Sequence, residues 1–221
     1  MDIGSAFTFA FDDPEWIKKL AIGGGLVLGG LILFPILIGI ALFIIIFGYM
    51  LETLKNVRDG QATPLPEWTD FGGLFSNGGK AFVIALVYNV PTILLACASG
   101  GVNVFASSAD SDLASTLAIV AVCLSCVQII VSLLANAVLP AALIRYVQFE
   151  TIGAGFQFGP IFAFIRENIG DYIIVVLLSW VAQAVSGLGL ILCLIGVFFT
   201  SFWSYLVSAN LYGQLARKMT V

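Results

Sequence analysis

The chain has 221 residues, 60% of them apolar and 10% charged, with a mean hydropathy of +1.07. Soluble domains run near about 45–50% apolar and about 25% charged, so nine Lys/Arg and thirteen Asp/Glu are too few to cover a water-facing globule. Histidine is absent, which excludes His-based triads, imidazole proton shuttles and His-ligated metal or haem; an all-α integral membrane protein is expected, with no cofactor.

Four stretches carry no charged residue: 20–51, 81–109, 113–144 and 172–216. A bilayer core of about 30 Å takes about 20 helical residues. The first stretch, 32 residues counted inclusively, suits either one tilted helix or two short helices folded about Pro35. Basic residues favour the fold-back. With it, Lys18, Lys19, Lys55, Arg58, Lys80, Arg145, Arg166, Arg217 and Lys218 all fall on one face, as the positive-inside rule prefers. The second stretch reads as a helix over 81–98 followed by a polar loop over 100–112, with Asp112 as the cap of the next helix. The third is one span kinked at Pro140. The fourth is too long for one crossing and turns at Gly187–Gly189, giving helices over 172–185 and 190–214. The expectation is about six transmembrane helices as three hairpins in one membrane domain (about 7–60, 71–150 and 158–221), with both termini cytoplasmic. No basic region precedes the first apolar run, so no cleavable signal peptide is expected.

A pattern recurs at the cytoplasmic edge. Phe-x-x-x-Phe precedes each hairpin as Phe7/Phe11, Phe71/Phe75 and Phe158/Phe162, a basic residue follows (Lys18, Lys80, Arg166), and each hairpin leaves at a tyrosine (Tyr49, Tyr146, Tyr212). Two Phe four apart make one apolar stripe, so three short amphipathic helices in the headgroup plane are expected. Trp16 and Trp68, each within a Pro-Glu-Trp element, and the three tyrosines are expected as interfacial anchors. Asp13 before Pro14 reads as a helix cap.

No ionisable side chain lies deep in an expected span, which disfavours proton relays and ion-coupled pumping. Asn89, Gln128, Asn136 and Gln183 are the uncharged polar residues at depth. They read as helix-packing groups, or as the lining of a weakly polar cavity where Asn89 and Asn136 face each other beside Pro91 and Pro140. Cys123 and Cys126 have CxxC spacing but no second pair or basic neighbour, so they read as packing residues, as does Cys97. Asp110 and Asp112 supply too few oxygens for calcium. Ala21, Gly25 and Gly29 form a ladder of small residues suited to close helix contact. Glu67 and Asp70 are the one acidic pair to which metal and phosphate chemistry could be assigned, and a solvated loop is the expected state. Phosphate-binding, hydrolase-elbow and zinc-helix motifs are absent from the sequence.

Phe11-Asp-Asp-Pro-Glu-Trp-Ile-Lys-Lys, Gly48-Tyr49, Leu65-Pro66-Glu67-Trp68 and Phe71…Gly78-Gly79 resemble the domain-of-unknown-function 4013 family, most clearly over residues 7–90. The resemblance implies a prokaryotic multi-pass protein of the cell membrane and carries no established activity or functional residues. A non-catalytic protein is expected, one that organises a membrane region or serves as an accessory subunit of a larger membrane complex. Its expected partners are the bilayer, other membrane proteins or further copies of itself, and not nucleic acid. The alternative is a channel or facilitator for an uncharged solute or lipid.

Overall fold

The computed structural model describes residues 1–191 and 195–218. Eight α-helices follow one another among them: α1 (Ile3–Thr8), α2 (Trp16–Ile32), α3 (Ile38–Arg58), α4 (Phe71–Ala106), α5 (Ser111–Phe149), α6 (Phe158–Glu167), α7 (Ile169–Ser186) and α8 (Gly196–Lys218). No strand occurs among the described residues. Among the described residues, four segments are long and apolar enough to cross a membrane: Ile38–Arg58, Phe71–Ala106, Ser111–Phe149 and Ile169–Ile191. The chain is an all-helical protein of membrane-spanning character. It divides into two units, Met1–Val83 with Ala141–Val221, and Ile84–Pro140.

In the first unit, residues 20–51 do not form an unbroken rod. Helix α2 stops at Ile32, a 3-10 turn covers Phe34–Ile36, and α3 begins at Ile38. Pro35 has no N–H to continue the helical ladder, and Leu37 takes a left-handed conformation at φ 63°, a cost of about 1–2 kcal/mol for a residue with a Cβ. Helix α2 packs against both α3 and α8. Glycine makes this possible where large rings intrude: a Cβ at Gly23 would lie 2.2 Å from the Phe202 ring, and one at Gly24 would lie 2.4 Å from that of Phe199. Of the ladder expected at Ala21, Gly25 and Gly29, Gly29 faces α3, where a Cβ would lie 3.3 Å from Leu42 Cδ1, whereas Gly25 meets open space; the tightest contacts run through Gly23, Gly24 and Gly30.

Helix α3 also crosses the first turns of α4 at glycines. A Cβ on Gly48 would lie 1.9 Å from the Leu74 carbonyl oxygen, and one on Gly78 1.9 Å from that of Ile44. Backbone meets backbone there. Helix α8 is the hub of this unit, packed by α1, α2, α3 and α7, with Phe202, Leu206, Val207, Leu211 and Leu215 fully buried. Its Ser204 and Ser208 hydroxyls donate to carbonyls of the same helix, Ser201 O at 2.7 Å and Ser204 O at 2.9 Å. These two hydroxyls thus lie in an apolar core with their donors paired.

The second unit holds the C-terminal part of α4 and the N-terminal part of α5, and here two expectations are corrected. The polar loop expected over 100–112 shrinks to 107–110, because α4 continues to Ala106. Asn103 donates to Ser99 O at 2.9 Å and so closes its amide on its own helix. The cap of α5 is Asp110, whose carboxylate accepts from Leu113 N at 3.0 Å. Asp112 instead sits in the first turn of α5. At the other end α5 runs through Pro140 to Phe149. Beside the proline, Ala141 N–H donates to the Tyr172 hydroxyl at 3.2 Å, so a side chain from α7 enters a ladder that proline disturbs.

Candidate functional site

The strongest constellation of charge lies where α2 begins, and it joins the two Pro-Glu-Trp elements. Asp13 and Lys19 are both buried, each with a side chain 4% exposed, and pair at 2.8 Å. The Lys19 ammonium also contacts Glu67 Oε1 at 2.6 Å and donates to Leu65 O at 3.1 Å. An ammonium has three donors, and all three are used. The other Asp13 oxygen accepts Glu15 N at 2.8 Å. Trp68 Nε1 donates to Lys19 O at 3.2 Å, and the Tyr49 hydroxyl donates to Pro66 O at 2.9 Å.

The aromatic rings close the same knot. Tyr49 stacks on Trp68 with centroids 4.1 Å apart and planes 19° apart, and Phe202 of α8 lies 5.5 Å from Tyr49 and 5.9 Å from Trp68. Proline keeps the segment from Thr63 to Asp70 out of helix, and Asn56 fixes it further by donating to Pro64 O at 2.9 Å. This segment is thereby locked across α2, α3 and α8. Chemically the cluster is a staple, with every donor of its one ammonium committed and each carboxylate already paired.

Further charged residues of this unit pair at helix ends. Lys55, in the last turn of α3, pairs with Glu150 at 3.3 Å. Arg58 donates to Val147 O at 2.7 Å, in the last turn of α5, a placement that suits the negative end of a helix. Arg58 also binds Asp59, and that hydrogen bond holds the Asp59 carboxyl below the usual carboxylate range. Lys218 pairs with Asp171, joining the end of α8 to the start of α7. Arg145 donates to Gln157 Oε1 at 3.1 Å and stacks over the Phe149 ring at 4.9 Å. A polar cleft of about 570 Å³ opens nearby between α1, α3 and α8, with Asp2, Asp12, Asn210, Gln214 and Arg217 on its walls. The Gln214 amide spans it, accepting from Asp2 N at 2.7 Å and donating to Asp2 O at 2.9 Å.

The expected site residues lie in several settings. Asn89 and Asn136 each close the side-chain amide on their own helix, donating to Ala85 O at 2.9 Å and Ser132 O at 2.8 Å, one turn back. Gln128 is half-buried on α5, and Gln183 is exposed on α7. Of the five expected interfacial aromatics, only Trp16 is half-exposed; Tyr49, Trp68, Tyr146 and Tyr212 are buried in protein. Glu67 and Asp70 are not brought together. Glu67 serves Lys19, while Asp70 caps α4 by accepting from Gly73 N at 2.8 Å. Among the described residues, no group of three His, Cys, Asp or Glu is placed to hold a metal ion.

The three Phe-x-x-x-Phe segments also fold in three ways. Phe7 belongs to α1 and meets Trp203 at 5.9 Å, while Phe11 lies in a 3-10 turn and meets Trp16 edge-on at 5.1 Å. Phe71 and Phe75 open α4 itself, with no separate helix before it. Only α6 matches the amphipathic expectation, with Phe158 and Phe162 55% and 56% exposed and Ile161 and Phe164 buried. Sequence reasoning missed the Asp13–Lys19–Glu67 cluster. The available signal was the repeated Pro-Glu-Trp element beside a doubled lysine.

Neither curated proteins nor solved structures give a match to this chain. The family model described as a protein of unknown function, DUF4013, matches residues 25–195, a span that holds α3 to α7 entire and, of the knot, Tyr49, Glu67 and Trp68. With most of its length so matched, the chain belongs to the DUF4013 family.

Proposed function

We propose that the protein is a non-catalytic multi-pass protein of the prokaryotic cell membrane that organises a membrane region or acts as an accessory subunit of a larger membrane complex. One observation carries this reading. In the most apolar part of α5 only 6% of residues are buried within the chain, and Ile119, Val122, Ile129 and Leu134 are 59–67% exposed. A face of that kind meets lipid or other membrane helices. The buried ion cluster supports the same reading, since its groups are spent on holding the chain together.

Three hairpins with their open ends in the cytoplasm account for the helix ends. The start of α2 and the segment following α3 share the Lys19 cluster, while the ends of α3 and α5, and of α7 and α8, meet in the contacts of Lys55, Arg58 and Lys218. The positive-inside rule places such an end in the cytoplasm, so both termini lie there. A single cysteine replacing Ser108 on a cysteine-free background should react with an impermeant maleimide added outside intact cells. One replacing Gln61 should react only after permeabilisation. Labelling of Gln61→Cys in intact cells would overturn the arrangement.

A further inference from the structure

The reversal between α2 and α3 has a composition unlike a loop that meets water. Residues 20–48 include no polar or charged side chain. At the reversal Leu31, Ile32, Phe34, Ile36, Leu37 and Ile38 are 52–71% exposed. The α4–α5 tip contrasts with it, carrying Ser107, Ser108, Asp110, Ser111 and Asp112. Helix length points the same way. From Lys19 in the ion cluster to Leu33 is 33 − 19 = 14 residues, and from Leu37 to Glu52 is 52 − 37 = 15. At about 1.5 Å per residue these rise about 21–23 Å, against a hydrocarbon core of about 30 Å.

A reversal inside hydrocarbon must satisfy its own backbone, because no water is present to do so. Five N–H groups of this turn are paired within it. Leu33 N donates to Gly29 O at 2.9 Å, Ile36 N to Leu33 O at 3.3 Å and Leu37 N to Phe34 O at 3.0 Å. Gly39 N donates back to Leu33 O at 3.0 Å and Ile40 N to Leu37 O at 3.1 Å. Pro35, at the apex, has no N–H to satisfy. The left-handed Leu37 is the conformational cost of closing the turn this tightly.

We infer that the α2–α3 hairpin enters from the cytoplasmic face and ends within the bilayer, its apex of Leu33 to Ile38 seated among acyl chains of the far leaflet. The inference rests on the topology proposed above and makes this hairpin a wedge that displaces more lipid from the cytoplasmic leaflet than from the other. The test uses the full chain with its four cysteines replaced and single cysteines at Ile36, Gln61 or Ser108. In intact cells Ile36→Cys should resist an impermeant maleimide added outside, and it should still resist after permeabilisation, while Ser108→Cys reacts from outside. In liposomes, bimane on Ile36→Cys should be quenched severalfold more by lipids spin-labelled deep in the acyl chain than by those labelled at the headgroup. Reaction of Ile36→Cys from outside, or stronger quenching at the headgroup, overturns the inference and leaves the hairpin arrangement standing. Labelling of Gln61 and Ser108 from the same side overturns the arrangement itself.

Discussion

Lys18 and Lys19 are neighbours of the same type with opposite fates, and burial decides between them. Lys18 pairs with Glu15 in the open, with side chains 61% and 50% exposed, where an ion pair adds little beyond what water offers. Lys19 neutralises a carboxylate that has left water, and removing one member of a buried pair strands the other. Lys19→Met should therefore lower stability by about 3–5 kcal/mol, read as thermal unfolding in mild detergent. Lys18→Met should leave the transition unmoved. Adding Asp13→Asn to Lys19→Met should restore part of the loss, because the amide still accepts from Glu15 N without a stranded charge. Equal effects of the two lysine substitutions would show that the cluster does not hold the segment in place. None of this was legible from residue types, since both lysines read as the same basic edge.

Helices themselves were legible where apolar runs were long, and their ends were legible where proline or a charge stopped them. The break at Pro35 was legible from one missing donor and from the grouping of lysine and arginine that a fold-back would give. The extent of α4 did not follow, because Gly100 and Gly101 suggest a turn on propensity alone. They lie in open space in the structure, and a helix surrounded by lipid keeps its backbone bonds in spite of glycine. Which glycines make contacts was also hidden from spacing, since Gly25 and Gly48 look alike in sequence. The structure separates them. Gly48→Ala or Gly78→Ala places a methyl group against a carbonyl of the opposing helix, so α3 and α4 must part, at a cost of about 1–3 kcal/mol. Gly25→Ala meets nothing within 4 Å and should stabilise by up to about 1 kcal/mol through helix propensity. Thermal unfolding of the three variants side by side tests the assignment, and a destabilising Gly25→Ala would refute it.

Across the whole molecule, burial is divided unevenly between the two units. Leu206 at the hub of the first is fully buried, whereas Leu134 of the second is 62% exposed. Leu206→Ala should cost about 2–5 kcal/mol, and Leu134→Ala should stay within about 0.5 kcal/mol. The second unit thus presents a long apolar surface that the chain's own stability does not need, and the organising role proposed here assigns that surface to neighbours. Cys123 and Cys126 are exposed on α5 and three residues apart, which puts them on one side of the helix. Their sequence reading as packing thiols holds within this chain only if another protein supplies the packing. Oxidative cross-linking in native membranes should then yield a disulfide-linked species of higher mass, a second copy or a different subunit, that disappears with Cys123→Ser/Cys126→Ser and persists with Cys97→Ser. A chain that stays monomeric under the same oxidation, and copurifies with nothing, would assign the α5 face to lipid and remove the accessory-subunit reading.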